Sequence, residues 1–76
     1  MRILTQKKAR ALYAAMRNLN DIGANFRFTF YTDNAGRVTV EDDPETWEVR
    51  VLIKDGTIVE TYESQLDFAQ AYGVPT

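Results

Sequence analysis

From Phe26 to Tyr31 the chain alternates without interruption: Phe26, Phe28 and Phe30 on one side, Arg27, Thr29 and Tyr31 on the other. A period of two is the period of a β-strand, so three phenylalanines line up on one face and have to be covered. A lone strand cannot cover them. Partner strands and a second layer are needed, and the rest of the chain supplies both.

The first strand spans about Phe26 to Thr32, followed by a turn at Asp33-Asn34-Ala35-Gly36. A three-residue loop closed by a left-handed Gly36 sets Asp33 opposite Arg37, Thr32 opposite Val38 and Phe30 opposite Val40. Both valines then join the phenylalanine face; a one-residue slip would send them to the other. The second strand is therefore about Arg37 to Glu41. Asp42-Asp43-Pro44-Glu45 is a charged connection, because Pro44 has no N–H to give to a ladder. A third strand runs from about Thr46 to Lys54 with Trp47, Val49, Val51 and Ile53 inward. Asp55-Gly56 marks a second hairpin in one of two registers. A two-residue turn pairs Ile53 with Ile58; a three-residue loop pairs Val51 with Val59. The fourth strand is Thr57 to Tyr62 in both.

A helix over about Gln6 to Ile22 precedes the strands. Ala9, Leu12, Tyr13, Met16 and Leu19 recur at three- and four-residue spacing and make one apolar stripe. Thr5 is placed to cap it and Gly23 to end it. Lys7 and Lys8 sit in its first turn, where the helix dipole disfavours positive charge. A short second helix follows over about Gln65 to Tyr72, with Ser64 as its cap and Leu66, Ala69 and Tyr72 on one face. The expected fold is α+β in the order α-β-β-β-β-α. A four-stranded antiparallel sheet carries two helices packed on one face, as a single domain over residues 1–76. The uncovered face holds Arg27, Thr29, Tyr31, Arg37, Thr39, Glu48 and Arg50.

Composition narrows the chemistry. There is no Cys and no His. That removes disulfides, thiolate and imidazole metal ligands, the thiol nucleophile and the commonest general base. The one serine, Ser64, is accounted for as a helix cap. The four glycines each close a helix or hairpin, and none forms a run that cradles phosphate. Asp42, Asp43 and Glu45 share a loop and could offer oxygens to a hard cation. The alternating acids and following Gly of a calcium loop are absent, so a solvated acidic turn is the reading. The expectation is a non-enzyme with no catalytic, cofactor-binding or metal-binding residues and no cofactor. No apolar run approaches the ~20 residues of a membrane span, and the first residues lack the apolar centre of a leader. No membrane partner and a cytoplasmic location are expected.

Charge is uneven along the chain. Residues 1–27 carry six cations against Asp21, or +5; residues 28–76 carry three against ten acids, or −7. Two surfaces follow. Glu41, Asp42, Asp43, Glu45 and Glu48 surround the connection after the second strand. With Tyr31 they are the candidate protein-binding residues, an acidic surface able to occupy a basic groove on a partner. The plainer reading is a charged edge that resists sheet-to-sheet pairing. Trp47 lies inside this cluster. Turned inward it is core; turned outward it is an anchor of the kind enriched at interfaces. The alternative surface is the helix face bearing Lys7, Arg10 and Arg17, with Arg27, which would contact nucleic acid or an acidic protein. A solvated helix face explains it as well, with Asp21 placed to pair with Arg17.

In general character the chain resembles small phage and mobile-element proteins, anti-CRISPR inhibitors among them. The likeness lies in its length, acidic balance, lack of a cofactor motif and the cluster Glu41-Asp42-Asp43-Pro44-Glu45. It implies stoichiometric blocking of a larger nucleoprotein complex and assigns a role to no residue. The leading expectation is thus an inhibitor or adaptor that binds another protein. A nucleic-acid-binding accessory protein is the second reading. A self-associating structural protein, a homodimer through a free sheet edge or exposed aromatics, is the third.

Overall fold

The computed structural model describes residues 2–76 and has the expected α+β order. Helix α1 is Gln6–Asn20, strands β1 to β4 are Arg27–Thr32, Gly36–Asp42, Val49–Ile53 and Thr57–Tyr62, and helix α2 is Gln65–Ala71. The strands form one antiparallel meander in sequence order. Both helices lie over one face, where Ala9, Met16, Phe68 and Ala69 meet Val38, Val40, Val49 and Val51 in a single core. Full burial of a side chain the size of Phe68 or Met16 contributes about 2–3 kcal/mol.

The helix ends are set locally. The Thr5 hydroxyl accepts from the Lys8 N–H at 3.1 Å, and the Ser64 hydroxyl from the Asp67 N–H at 3.1 Å. Beyond α2 the chain turns through left-handed Gly73, so the Val74 N–H reaches the Ala69 carbonyl at 2.9 Å. This closure satisfies carbonyls that a helix end leaves bare. The same closure after α1 stops that helix at Asn20, two residues short of the expected end, and leaves Ile22 exposed.

The first hairpin corrects the expected register by two residues. Thr32 pairs with Gly36, Phe30 with Val38 and Phe28 with Val40. Thr32 is the reason: its hydroxyl accepts from the Ala35 N–H at 3.0 Å and donates to the Gly36 carbonyl at 3.2 Å, so the turn closes one residue early on each side. A shift of two preserves faces, and the valines still join the phenylalanines. Gly36, at φ 69°, supplies the left-handed residue.

The second hairpin uses both expected registers in turn. Near the loop Ile53 pairs with Thr57 and Leu52 with Ile58; further on Val51 pairs with Glu60 and Val49 with Tyr62. Val59 is the extra residue, a β-bulge. The bulge turns Glu60 into the core, where it is 5 % exposed. Its carboxylate accepts from the Tyr72 hydroxyl at 2.6 and 2.8 Å, from the Tyr62 hydroxyl, and from the Ile3 N–H at 2.9 Å. Burial, and then the bond to Glu60, push the Tyr62 phenol up to about 12; the same two causes push Tyr72 up as well.

Two outcomes are expected. Glu60→Ala leaves two phenols and an amide without their acceptor and lowers stability by about 2–4 kcal/mol in denaturant titrations, with Glu60→Gln recovering part of the loss. A phenol raised on folding stabilises fully below the ordinary phenol value of 10.0, and that contribution is lost as pH rises through about 12. Phenolate absorbance from Tyr62 and Tyr72 should therefore emerge together with alkaline unfolding.

Candidate functional site

The loop joining β2 to β3 is built around one carboxylate. Asp43 Oδ1 accepts from the Glu45 N–H at 2.8 Å and the Thr46 N–H at 3.1 Å, while Oδ2 takes Arg50 Nη2 at 2.8 Å. The Asp43 carbonyl accepts from the Trp47 N–H at 2.9 Å, and the Asp43 N–H donates to the Glu48 carbonyl at 2.9 Å. Pro44 fixes the first step of this turn, and an Asp before it is the residue that closes such turns on its own backbone. The Glu45 N–H, then Arg50, then the Thr46 N–H hold the Asp43 carboxyl down at about 2.

So closed a loop leaves Trp47 left-handed, at φ 64°, the one residue other than Gly with positive φ among the described residues. That conformation costs a bulky L-residue about 1–2 kcal/mol. Trp47 is thereby outside β3, which begins at Val49, and its side chain is 41 % exposed. The expected inward alternation stops at Val49 because the backbone at Trp47 is not extended.

Trp47 forms one wall of a cleft of about 470 Å³ whose other walls are Tyr13, Arg17 and Asn20 of α1 and Ser64, Gln65 and Leu66 at the start of α2. Leu66 is 46 % exposed, which corrects its expected place in the core. Phe68, Ala69 and Tyr72 take the buried face of α2, and Leu66 falls on its flank. Asn20 and Gln65 bond to each other in both directions, at 2.7 and 3.0 Å. Arg17 lies over the Tyr13 ring at 5.7 Å and donates to its hydroxyl at 3.2 Å, instead of pairing with Asp21. Among the described residues no carboxylate is within ion-pair distance of Arg17.

The acidic set does not form a free anionic surface. Asp42 is 5 % exposed: its carboxylate faces inward and accepts from the Phe26 N–H at 2.9 Å and Asn25 Nδ2 at 3.0 Å. It fixes the start of β1 and leaves the contact set. Glu41 lies 3.4 Å from Arg27, and Asp43 and Glu48 share Arg50. Of the four acids that remain in the set, only Glu45 has no cationic partner among the described residues. Tyr31 is 76 % exposed on the open sheet face. The basic set divides too. Lys7 and Arg10 are exposed on α1, whereas Arg27 alternates with inward phenylalanines and so lies beyond the sheet, on its far side. Among the described residues no group of three or more acids is placed to hold a metal ion, and no helix is long and apolar enough to cross a membrane.

No protein-family model matches the chain, and no curated protein or solved structure matches it.

The Asp43 turn has a pH signature. A carboxylate depressed on folding stabilises fully above the ordinary value of 3.8, and the contribution is lost as pH falls through about 2. Trp47 emission should hold steady on acidification to about 3 and then shift as the turn opens. In Asp43→Asn the shift should be present already at neutral pH.

Proposed function

We propose that this chain is a non-enzymatic protein-binding module, an inhibitor or adaptor that seats its partner on the cleft between Trp47 and Leu66. Trp47 carries the proposal. A large apolar side chain stands exposed on a backbone that is strained to hold it there, and strain of that kind concentrates at binding sites. Trp, Tyr and Arg are the residues enriched where binding energy is concentrated, and the cleft has one of each in Trp47, Tyr13 and Arg17. The lack of His and Cys, and the use of the only Ser hydroxyl as a helix cap, support the non-enzymatic part.

A nucleoprotein complex in the cytoplasm, blocked sterically in the manner of a counter-defence inhibitor, is the partner proposed with it. Glu45, exposed in the same loop as Trp47, is the acid left to meet a basic surface and speed encounter. Direct nucleic-acid contact is the second reading, favoured by the exposure of Lys7 and Arg10 without acidic partners among the described residues.

Affinity capture from a bacterial lysate, with and without nuclease, tests the choice. A protein recovered in both samples is expected. Trp47→Asn, a residue that tolerates the left-handed conformation, and Leu66→Ala should each weaken that binding by about 2 kcal/mol or more, roughly thirtyfold. Circular dichroism should show the fold intact. Recovery that disappears with nuclease, and binding that weakens steeply with salt, would replace the cleft by Lys7 and Arg10.

A further inference from the structure

We propose that β1 is a docking edge and that a second copy of this chain occupies it, joining two sheets through antiparallel β1–β1 pairing.

The two edges of the sheet are treated differently. On β4 the ladder is broken by the bulge at Val59, a carboxylate points inward at Glu60, and the chain at Ile3 and Leu4 is bonded to Glu60 and Tyr72. Bulges, inward charges and covering segments all stop an edge from recruiting another strand. Among the described residues strand β1 has none of them. It pairs with β2 over six residues without a register shift and contains no Pro. Its one charge, Arg27, is already matched by Glu41.

Backbone parity leaves this edge open. The Phe26 carbonyl accepts from the Asp42 N–H, so residues 26, 28 and 30 direct their peptide groups at β2. Those of Arg27, Thr29 and Tyr31 then point away from the sheet, as alternate residues of an antiparallel strand must. Beside them runs an apolar trough of about 240 Å³ between α1 and β1, lined by Lys8, Ala11, Leu12, Ala15 and Phe30. Leu12, Phe28 and Phe30 touch the core but are only half-buried.

A strand added here has to carry apolar side chains on the helix side at alternate positions, and β1 itself has that pattern. Two-fold pairing centred on Thr29 sets Phe28 against Phe30 of the second copy and Arg27 against its Tyr31. Only residues with outward peptide groups then exchange bonds, and no like charges meet. Ala11 and Ala15 are small enough for the two α1 helices to approach across the seam. The contact is self-complementary and closes as a two-fold dimer. A specific interface takes roughly 800 Å² from each partner, about a sixth of the 4881 Å² this chain exposes.

Sedimentation equilibrium from about 1 μM to about 1 mM tests the proposal, with a concentration-dependent dimer expected. Thr29→Pro deletes an N–H that points away from β2 and keeps the internal ladder. Ala11→Glu brings a carboxylate into the trough from an exposed helix position. Each should weaken the dimer by about tenfold or more, with circular dichroism unchanged; should Thr29→Pro unfold, Ala11→Glu decides. Trp47→Asn should leave the dimer as it is, which separates this edge from the cleft. A monomer throughout the range overturns the proposal, and so does a dimer that Ala11→Glu leaves at full strength.

Discussion

The carboxylate of Glu60 lies inside the fold because Val59 has no partner across the β3–β4 ladder. Much of the molecule depends on that one extra residue. Without it Val59 would follow the alternation set near the turn, Glu60 would face water, and Tyr62 would leave the core face. With it, a buried acid gathers the Tyr62 and Tyr72 hydroxyls and the Ile3 amide. A buried carboxyl group with no cation at ion-pair distance among the described residues is tolerable when donors saturate it, and this one takes bonds from two phenols and a peptide. The bonds run from β4 to α2 and to the segment before α1, so the helices and the sheet are held together by a polar knot within an apolar core.

Asp42 solves a similar problem at the end of β2, beside the start of β1. It supplies the acceptor that the Phe26 N–H would otherwise lack where β1 begins. Asp43, the next residue, points the other way and organises the loop. Two adjacent acids thus have opposite fates, set by the alternation of β2. Sequence composition counts them as one negative cluster; the backbone sends one inside and spends the other on two N–H groups and Arg50. What remains exposed there, beside Glu45, is an indole, turned outward because the closed loop leaves Trp47 no extended conformation.

The parts of the fold legible in the sequence are those governed by a single periodicity. The phenylalanine alternation, the α1 stripe, the Thr5 and Ser64 caps and the order of elements all belong here. Thr32 was not legible as a turn-former, because its two backbone bonds arise only once the turn exists; the two-residue offset it causes is silent in the face pattern. Val59 was half legible: two registers competed at Asp55-Gly56, and a bulge lets the chain adopt both. The inward reading of Trp47, one of two left open, and the core place of Leu66 failed for one common reason. Each extends an apolar pattern by one position past the point where the element holding that pattern begins to pack. A clue was available at Trp47, since Asp43-Pro44 starts a turn that has to finish before a strand can begin. For Leu66 the stronger clue was the Phe68–Tyr72 pair four residues apart, which claims the buried face of α2.

Helix α1 is the wall shared by both exposed apolar surfaces, and its geometry keeps them apart. Tyr13, Arg17 and Asn20 face the cleft beside α2, while Lys8, Ala11, Leu12 and Ala15 face the trough beside β1. Ala9 and Met16 between them are fully buried. A helix of fifteen residues over a four-stranded sheet is too narrow to cover the whole inner face, so apolar area is left over on each flank. A domain this small has little burial to spare, and leaving Leu12, Phe28 and Phe30 half-covered costs it some of that margin. On one flank the surplus includes the exposed Trp47 and Leu66. On the other it lies beside the outward peptide groups of Arg27, Thr29 and Tyr31. The same shortage of covering helix therefore leaves an exposed apolar surface on each side of α1, one beside α2 and the other beside β1.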